Sequence, residues 1–204
     1  MDRQKEDILK SATNQFLDLG FKSVTMDDIS RSMGISKKTL YSHYSNKESL
    51  VEAATTNIYD SICGGIDLIL DENTNPIEEL YAIKKLVMAQ LKGDKTSPIH
   101  QLQRYYPRVH HKLKSMQVDY MQGCVNDNLD RGIAAGLYIP TINKDFVSRI
   151  YFVGLQGIKD LHLFPASQFA VQELYDQYLE YHVRGIVTPA GRKVLNKITQ
   201  KNHD

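Results

Sequence analysis

A chain of 204 residues has the length of one or two domains and can bury a core without disulfide or metal staples. With 42% hydrophobic and 24% charged residues, and no apolar run of bilayer length, the sequence excludes a wholly disordered chain and predicts no membrane span. The net charge of +1, from 25 basic and 24 acidic residues, says nothing of nucleic acid by itself, but residues 35–47 hold Lys37, Lys38 and Lys47 and no acid.

The first residues are charged and lack an apolar segment, so no secretory signal is expected and the cytoplasm is the simple location. Two cysteines, Cys63 and Cys124, are too few for a disulfide framework or an unaided zinc site. Residues 4–19 place Ile8, Leu9, Ala12, Phe16 and Leu19 on one stripe, an amphipathic helix that Gly20 stops. Thr25 is placed to cap a helix over 25–33, with Asp27 and Asp28 in the first turn where acids suit the dipole, and Gly34 breaks it. Ser36 caps a short helix to about Tyr44. Ser45 and Glu48 then have capping-box spacing before a long helix to about Leu70. A turn at 71–76 leads through Pro76 into a helix over 76–92. Pro98 and Pro107 bracket a short segment, and a long helix follows over roughly 108–131. Residues 137–142 are the best strand candidate, and helices are predicted over 144–163 and 167–187. Residues 190–204 read as a basic, frayed, flexible tail. No stretch of period 2 is long enough for a sheet, so the prediction is an all-α protein of about nine helices.

The segment 25–50 reads as a helix, a tight glycine turn and a second short helix, the helix-turn-helix arrangement. Leu40 and Tyr44 are four apart and share an inner face with Ile29, Met33 and Ile35. Lys38, Thr39, Tyr41 and Ser42 then point outward, with Lys37 and His43 at the edges. That face is two ammonium groups, two hydroxyls, a phenol and an imidazole, without a carboxylate, a set suited to phosphates and base edges.

The wording of this stretch resembles the N-terminal segment of the TetR family of bacterial transcriptional regulators. The residues that carry the resemblance are Phe16, Gly20-Phe21, Thr25-Met26-Asp27-Asp28-Ile29, Gly34-Ile35-Ser36-Lys37-Lys38-Thr39-Leu40-Tyr41, His43-Tyr44 and Asn46-Lys47-Glu48-Ser49-Leu50. It covers about residues 5–50. The resemblance implies a DNA-binding domain over 1–47, a ligand-binding and dimerisation domain over 48–189, and a helix 36–44 that enters the major groove. It places DNA contacts on Thr25, Ser36, Lys37, Lys38, Thr39, Tyr41, Ser42, His43 and Lys47. Two positions depart from the pattern. Asp27 is acidic where some relatives are basic, and Ser42 is small where relatives often carry an aromatic ring.

For the rest of the chain the resemblance implies a homodimer and a small-molecule effector. Candidate dimer residues are Phe146, Ile150, Val153, Gly154, Gly157, Leu161, Leu174, Tyr178 and Tyr181, apolar or small groups on the last two predicted helices. Candidate pocket residues are Tyr59, Cys63, Met88, His100, Tyr105, Tyr106, His110, Met116, Tyr120, Met121 and Cys124, of which a core role is expected for more than half. The adjacent His110 and His111 point about 100° apart on a helix, and the 71–75 acidic turn lacks the glycine and glutamate of a calcium loop, so neither metal nor cofactor is expected. No nucleophile elbow, phosphate loop or dinucleotide fingerprint is present, and no catalysis is expected. The expected function is a ligand-responsive repressor on a near-palindromic operator. The alternatives are an effector-free DNA-binding activator and an all-helical carrier or enzyme.

Overall fold

The computed structural model describes residues 2–91 and 98–201, with the side chains of all of these but 98–100 and 201. Ten helices carry the described chain: α1 (Arg3–Leu19), α2 (Met26–Ser32), α3 (Lys37–His43), α4 (Lys47–Asp71), α5 (Pro76–Gln90), α6 (Pro98–Tyr105), α7 (Pro107–Ala134), α8 (Lys144–Gly157), α9 (Val171–Arg184) and α10 (Pro189–Lys201). The fold is all-α, as the periodicity predicts. The strand candidate contributes one isolated antiparallel bridge, Tyr138 with Val187. No helix is long and apolar enough to cross a membrane among the described residues.

The chain divides into two compact units, residues 1–64 with 89–115 and residues 65–88 with 116–204. The first holds the expected 1–47 segment together with the start of α4, α6 and the start of α7. Its α1 begins where the Asp2 carboxylate accepts from the Gln4 N–H, and buries Ile8, Ala12 and Phe16. Leu19, expected on that stripe, is exposed, and Leu17 is buried instead. Gly20 ends α1 with φ 87°, a conformation costly for any residue with a Cβ. Phe21 then folds back onto Phe16, with ring centroids 5.1 Å apart. α2 and α3 are seven residues each, too short to persist alone. They are held because Ile29 and Leu40 enter one core with Phe16, Phe21, Leu50, Leu102 and Val109. The cap of α4 is one residue later than predicted: Asn46 Oδ1 accepts from the Ser49 N–H at 2.8 Å.

The second unit packs Ile77, Leu129, Tyr138, Val147, Leu179, Val183 and Leu195 together. Inside it the fully buried Glu79 accepts from Asn128 Nδ2 and Arg131 Nη2, each at 2.7 Å, and the Tyr138 hydroxyl donates to Asn128 Oδ1 at 3.0 Å. A buried carboxylate is tolerable when a cation and amide donors replace its water. Two expectations are corrected here. Turns at 160–169 replace the predicted ends of the last two long helices, so α8 stops at Gly157 and α9 starts at Val171. Of the tail expected to fray, residues 190–201 lie in α10 and 202–204 lie outside the described residues; Gly191 and Leu195 are buried, and Gly191 packs so closely that a Cβ would lie 2.2 Å from the Leu137 carbonyl oxygen.

Candidate nucleic-acid interface

The geometry of the α2–α3 hairpin follows from a few local bonds. Thr25 caps α2 through a reciprocal box: its hydroxyl accepts from the Asp28 N–H at 3.1 Å, and Asp28 Oδ2 accepts from both the Thr25 N–H and its hydroxyl. These bonds hold the Asp28 carboxyl below its usual range. Gly34 makes the turn with φ 64°, and the Ile35 N–H donates to the Ser30 carbonyl at 3.0 Å. Ser36 then caps α3, accepting from the Thr39 N–H at 3.0 Å. Leu40 is fully buried and Tyr44 nearly so, which turns the opposite face of α3 to solvent.

That face presents Lys37, Lys38, Tyr41 and Ser42, all exposed, with Thr39 partly so. Tyr41 keeps 47% of its surface open, far more than core packing would leave a phenol. The acidic departure at Asp27 has a partner: Lys37 Nζ donates to its Oδ2 at 2.6 Å. Both side chains are largely exposed, so the pair contributes at most about 1 kcal/mol, and Lys37 can exchange it for a phosphate or a guanine edge.

Ser42 and the other expected contacts also make polar contacts inside the unit. The Thr25 and Ser36 hydroxyls serve as caps. The Ser42 hydroxyl, although exposed, donates back to the Thr39 carbonyl at 2.7 Å. His43 turns toward the start of α1, with Nε2 3.2 Å from Gln4 Oε1 and Nδ1 3.5 Å from Asp2. Lys47 Nζ donates to the Lys22 carbonyl at 3.1 Å, and burial lowers its pKa while Asp28 opposes that shift. Sequence reasoning missed the partner of that same turn on α6. Gln101 Oε1 accepts from the Lys22 N–H at 2.9 Å across 79 positions of sequence, a pairing that no local pattern reports.

The pocket candidates fall into both units. In the first, Tyr59 and Cys63 are partly buried on α4, Tyr105 is exposed between Lys22 and Arg104, and Tyr106 packs against the core beneath α3. His110 is partly buried, and burial lowers its pKa, with Lys114 and His111 adding to the shift. The side chain of His100 lies outside the described residues. In the second unit Met88 packs with Ile158, Leu174 and Tyr175, and Met116, Tyr120, Met121 and Cys124 are partly buried on α7. The Tyr120 hydroxyl donates to Asp67 Oδ1 at 2.7 Å. Burial first, then bonding with Asp67 and Cys124, pushes that phenol well up. No group of three or more His, Cys, Asp and Glu side chains suited to a metal occurs among the described residues.

The dimer candidates separate cleanly. Phe146, Ile150, Val153, Leu161 and Tyr181 are exposed, with Phe146 at 62% and Val153 at 59%. Leu174, Gly154 and Tyr178 make contacts between the α8 and α9 segments within one chain. Leu174 is buried, a Cβ on Gly154 would lie 2.1 Å from the Tyr178 ring, and the Tyr178 hydroxyl is shared between the carbonyls of Ile150 and Tyr151. Gly157 meets no atom within 4 Å of such a Cβ.

Known proteins bear on this geometry. Residues 8–54 match the profile of the family described as bacterial regulatory proteins, tetR family. The HTH-type transcriptional repressor KstR2 of Mycolicibacterium smegmatis is 26% identical over 206 residues, covering 93% of this chain and 94% of that protein. A TetR-family transcriptional regulator from Marinobacter aquaeolei shares the fold with a TM-score of 0.73 at 19% identity, covering 98% of each chain. SmeT, the repressor of a Stenotrophomonas maltophilia multidrug efflux pump, was solved with triclosan; it shares the fold with a TM-score of 0.65 at 12% identity, covering 91% of this chain and 92% of that one.

Proposed function

The chain belongs to the TetR family of bacterial transcriptional regulators, and from that premise we propose that it is a cytoplasmic, homodimeric repressor that releases a near-palindromic operator when a small molecule binds. The observation that carries the reading is the acid-free outer face of α3 over a fully buried Leu40. Lys37, Lys38, Thr39, Tyr41 and Ser42 form the proposed contact set. Lys37 suits a guanine edge, the Thr39 methyl a thymine methyl, and Lys38 and Tyr41 suit phosphates. Thr25, Ser36, His43 and Lys47 act mainly by fixing where that set stands.

The exposed stripe of Phe146, Ile150 and Val153, with Leu161 and Tyr181, supports the dimer. These spacings of four and three put apolar groups on one helix face, which a second copy of the same face would cover. Two chains then offer two α3 helices to half-sites about one DNA turn, ~34 Å, apart. Effector response is proposed from the family and from SmeT, which was solved with a small molecule. Within the second unit, the partly buried Met116, Tyr120, Met121 and Cys124 of α7 are the proposed lining. Because α4 contributes residues to both units, it is the proposed carrier of the response. In energetic terms the effector favours a dimer state whose α3 spacing no longer fits the operator.

Selection of bound sequences from random duplex DNA at ~0.15 M salt tests the reading, because non-specific phosphate binding is weak there. A near-palindromic motif is expected, enriched again when the protein is first unfolded and refolded free of ligand. A folded, ligand-free dimer that enriches no motif would overturn it.

A further inference from the structure

We propose that Gln101 and Lys47 are positioning residues for DNA binding, gripping the backbone of Lys22 from both sides and so setting where the α2–α3 hairpin stands. The proposal rests on the DNA-binding reading but assigns a role that the α3 face does not.

Lys22 lies in the turn between Gly20 and Thr25. Its N–H donates to Gln101 Oε1 on α6 at 2.9 Å, and its carbonyl accepts from Lys47 Nζ on α4 at 3.1 Å. Two side chains from two helices thus hold one peptide segment. The turn is shaped around the amide, since a Cβ on Gly20 would lie 2.5 Å from Gln101 Nε2 and 2.7 Å from its Oε1. A second layer of contacts surrounds the grip. The Lys22 ammonium lies 5.1 Å from the Tyr105 ring centroid, and Lys47 Nζ lies 5.9 Å from that of Tyr106. Leu102, next to Gln101, is in the core that seats Leu40.

Three residues after Lys22 comes Thr25, which caps α2. Fixing Lys22 therefore fixes the start of α2, and α3 is seated against α2. The bonds lie at an exposed turn, where a hydrogen bond adds little to global stability. It still chooses one position of the turn among several. Loss of the grip should accordingly shift the hairpin and leave the unit folded.

The test uses the full chain and its selected operator, with Gln101→Leu (similar size, no acceptor), Gln101→Glu (acceptor kept) and Lys47→Met (stem kept, charge removed). Operator affinity across a salt series, hydrogen exchange at the Lys22 amide and thermal melting are measured together. Gln101→Leu should weaken operator binding about fivefold to tenfold, the range for one lost hydrogen bond, and speed exchange at Lys22. Gln101→Glu should return both to within about twofold of the parent, and neither variant should fail to fold. Lys47→Met should weaken binding with the slope of log affinity against log salt unchanged. A slope reduced by about one unit per lost contact would make Lys47 a phosphate ligand and overturn its part. Unchanged exchange at Lys22 in Gln101→Leu would remove the grip, and faster exchange with parent-like affinity would remove its positioning role. If the parent chain binds no DNA, the regulator reading fails, an outcome distinct from both.

Discussion

α3 and α8 both turn a face to solvent, and the two faces are dressed oppositely. α3 shows Lys37, Lys38, Tyr41 and Ser42, which water solvates well. α8 shows Phe146, Ile150 and Val153, which it does not. Covering each such apolar side chain yields about 1.5–3 kcal/mol, whereas exposing an ammonium or hydroxyl costs nothing. The α8 face therefore favours the proposed partner on energetic grounds. The α3 face only permits one, and its partner has to be argued from donor chemistry and from the family of the chain.

Breaking the support of the polar face has the largest expected effect. Leu40→Ala removes the fully buried side chain that seats α3 and should cost ~2–5 kcal/mol, with operator binding lost. Thermal unfolding and a binding titration check it, and full binding would mean that α3 is seated by other contacts. On the apolar face, Phe146→Glu with Val153→Glu should leave a folded monomer and raise the dimer dissociation constant at least ~100-fold. Sedimentation across a concentration series reads this, and an intact dimer would place the interface elsewhere.

Acid should act behind the α8 face. Burial pulls His182 on α9 down to about 4 from 6.5, and its ring lies 4.7 Å from that of Tyr151 on α8. The folded pKa is the lower one, so the unfolded chain binds the proton more tightly between these values. Stability from this residue is present above about pH 6.5 and falls as pH drops toward about 4, by up to about 3 kcal/mol. Denaturant midpoints against pH should show the slope, and His182→Gln should flatten it. The smallest effect sharpens the polar face itself. Lys38→Ala should weaken operator binding several-fold and lower the salt slope by about one unit per lost phosphate contact. An unchanged slope would remove Lys38 from the phosphate set.

The sequence made local features legible and long-range ones not. Thr25, Gly34, Ser36 and Leu40 each act through neighbours within a few positions, so cap, turn and inward face could be read from their spacing. The start of α4 was misplaced by one residue because Ser45 and Asn46 are both good caps, and only the bond to the Ser49 N–H chooses between them. α10 was missed because its apolar residues Val194, Leu195 and Ile198 are few among lysines and polar groups, and their burial depends on a distant core. For Leu174 and Tyr178, periodicity reports that a face is apolar without showing the contacts they make inside one chain. Gln101 carried no signal at all. An amide on a short helix is ordinary until it is found 2.9 Å from the Lys22 N–H.

The central claim is that two α3 faces, joined through two α8 faces, read one side of a duplex. It is tested most directly by measuring affinity for the selected operator and for one whose half-sites are moved apart by about 5 bp, half a turn. The account predicts a loss of at least ~100-fold for the altered spacing, because only one α3 can then engage. Equal affinity for the two duplexes would contradict it.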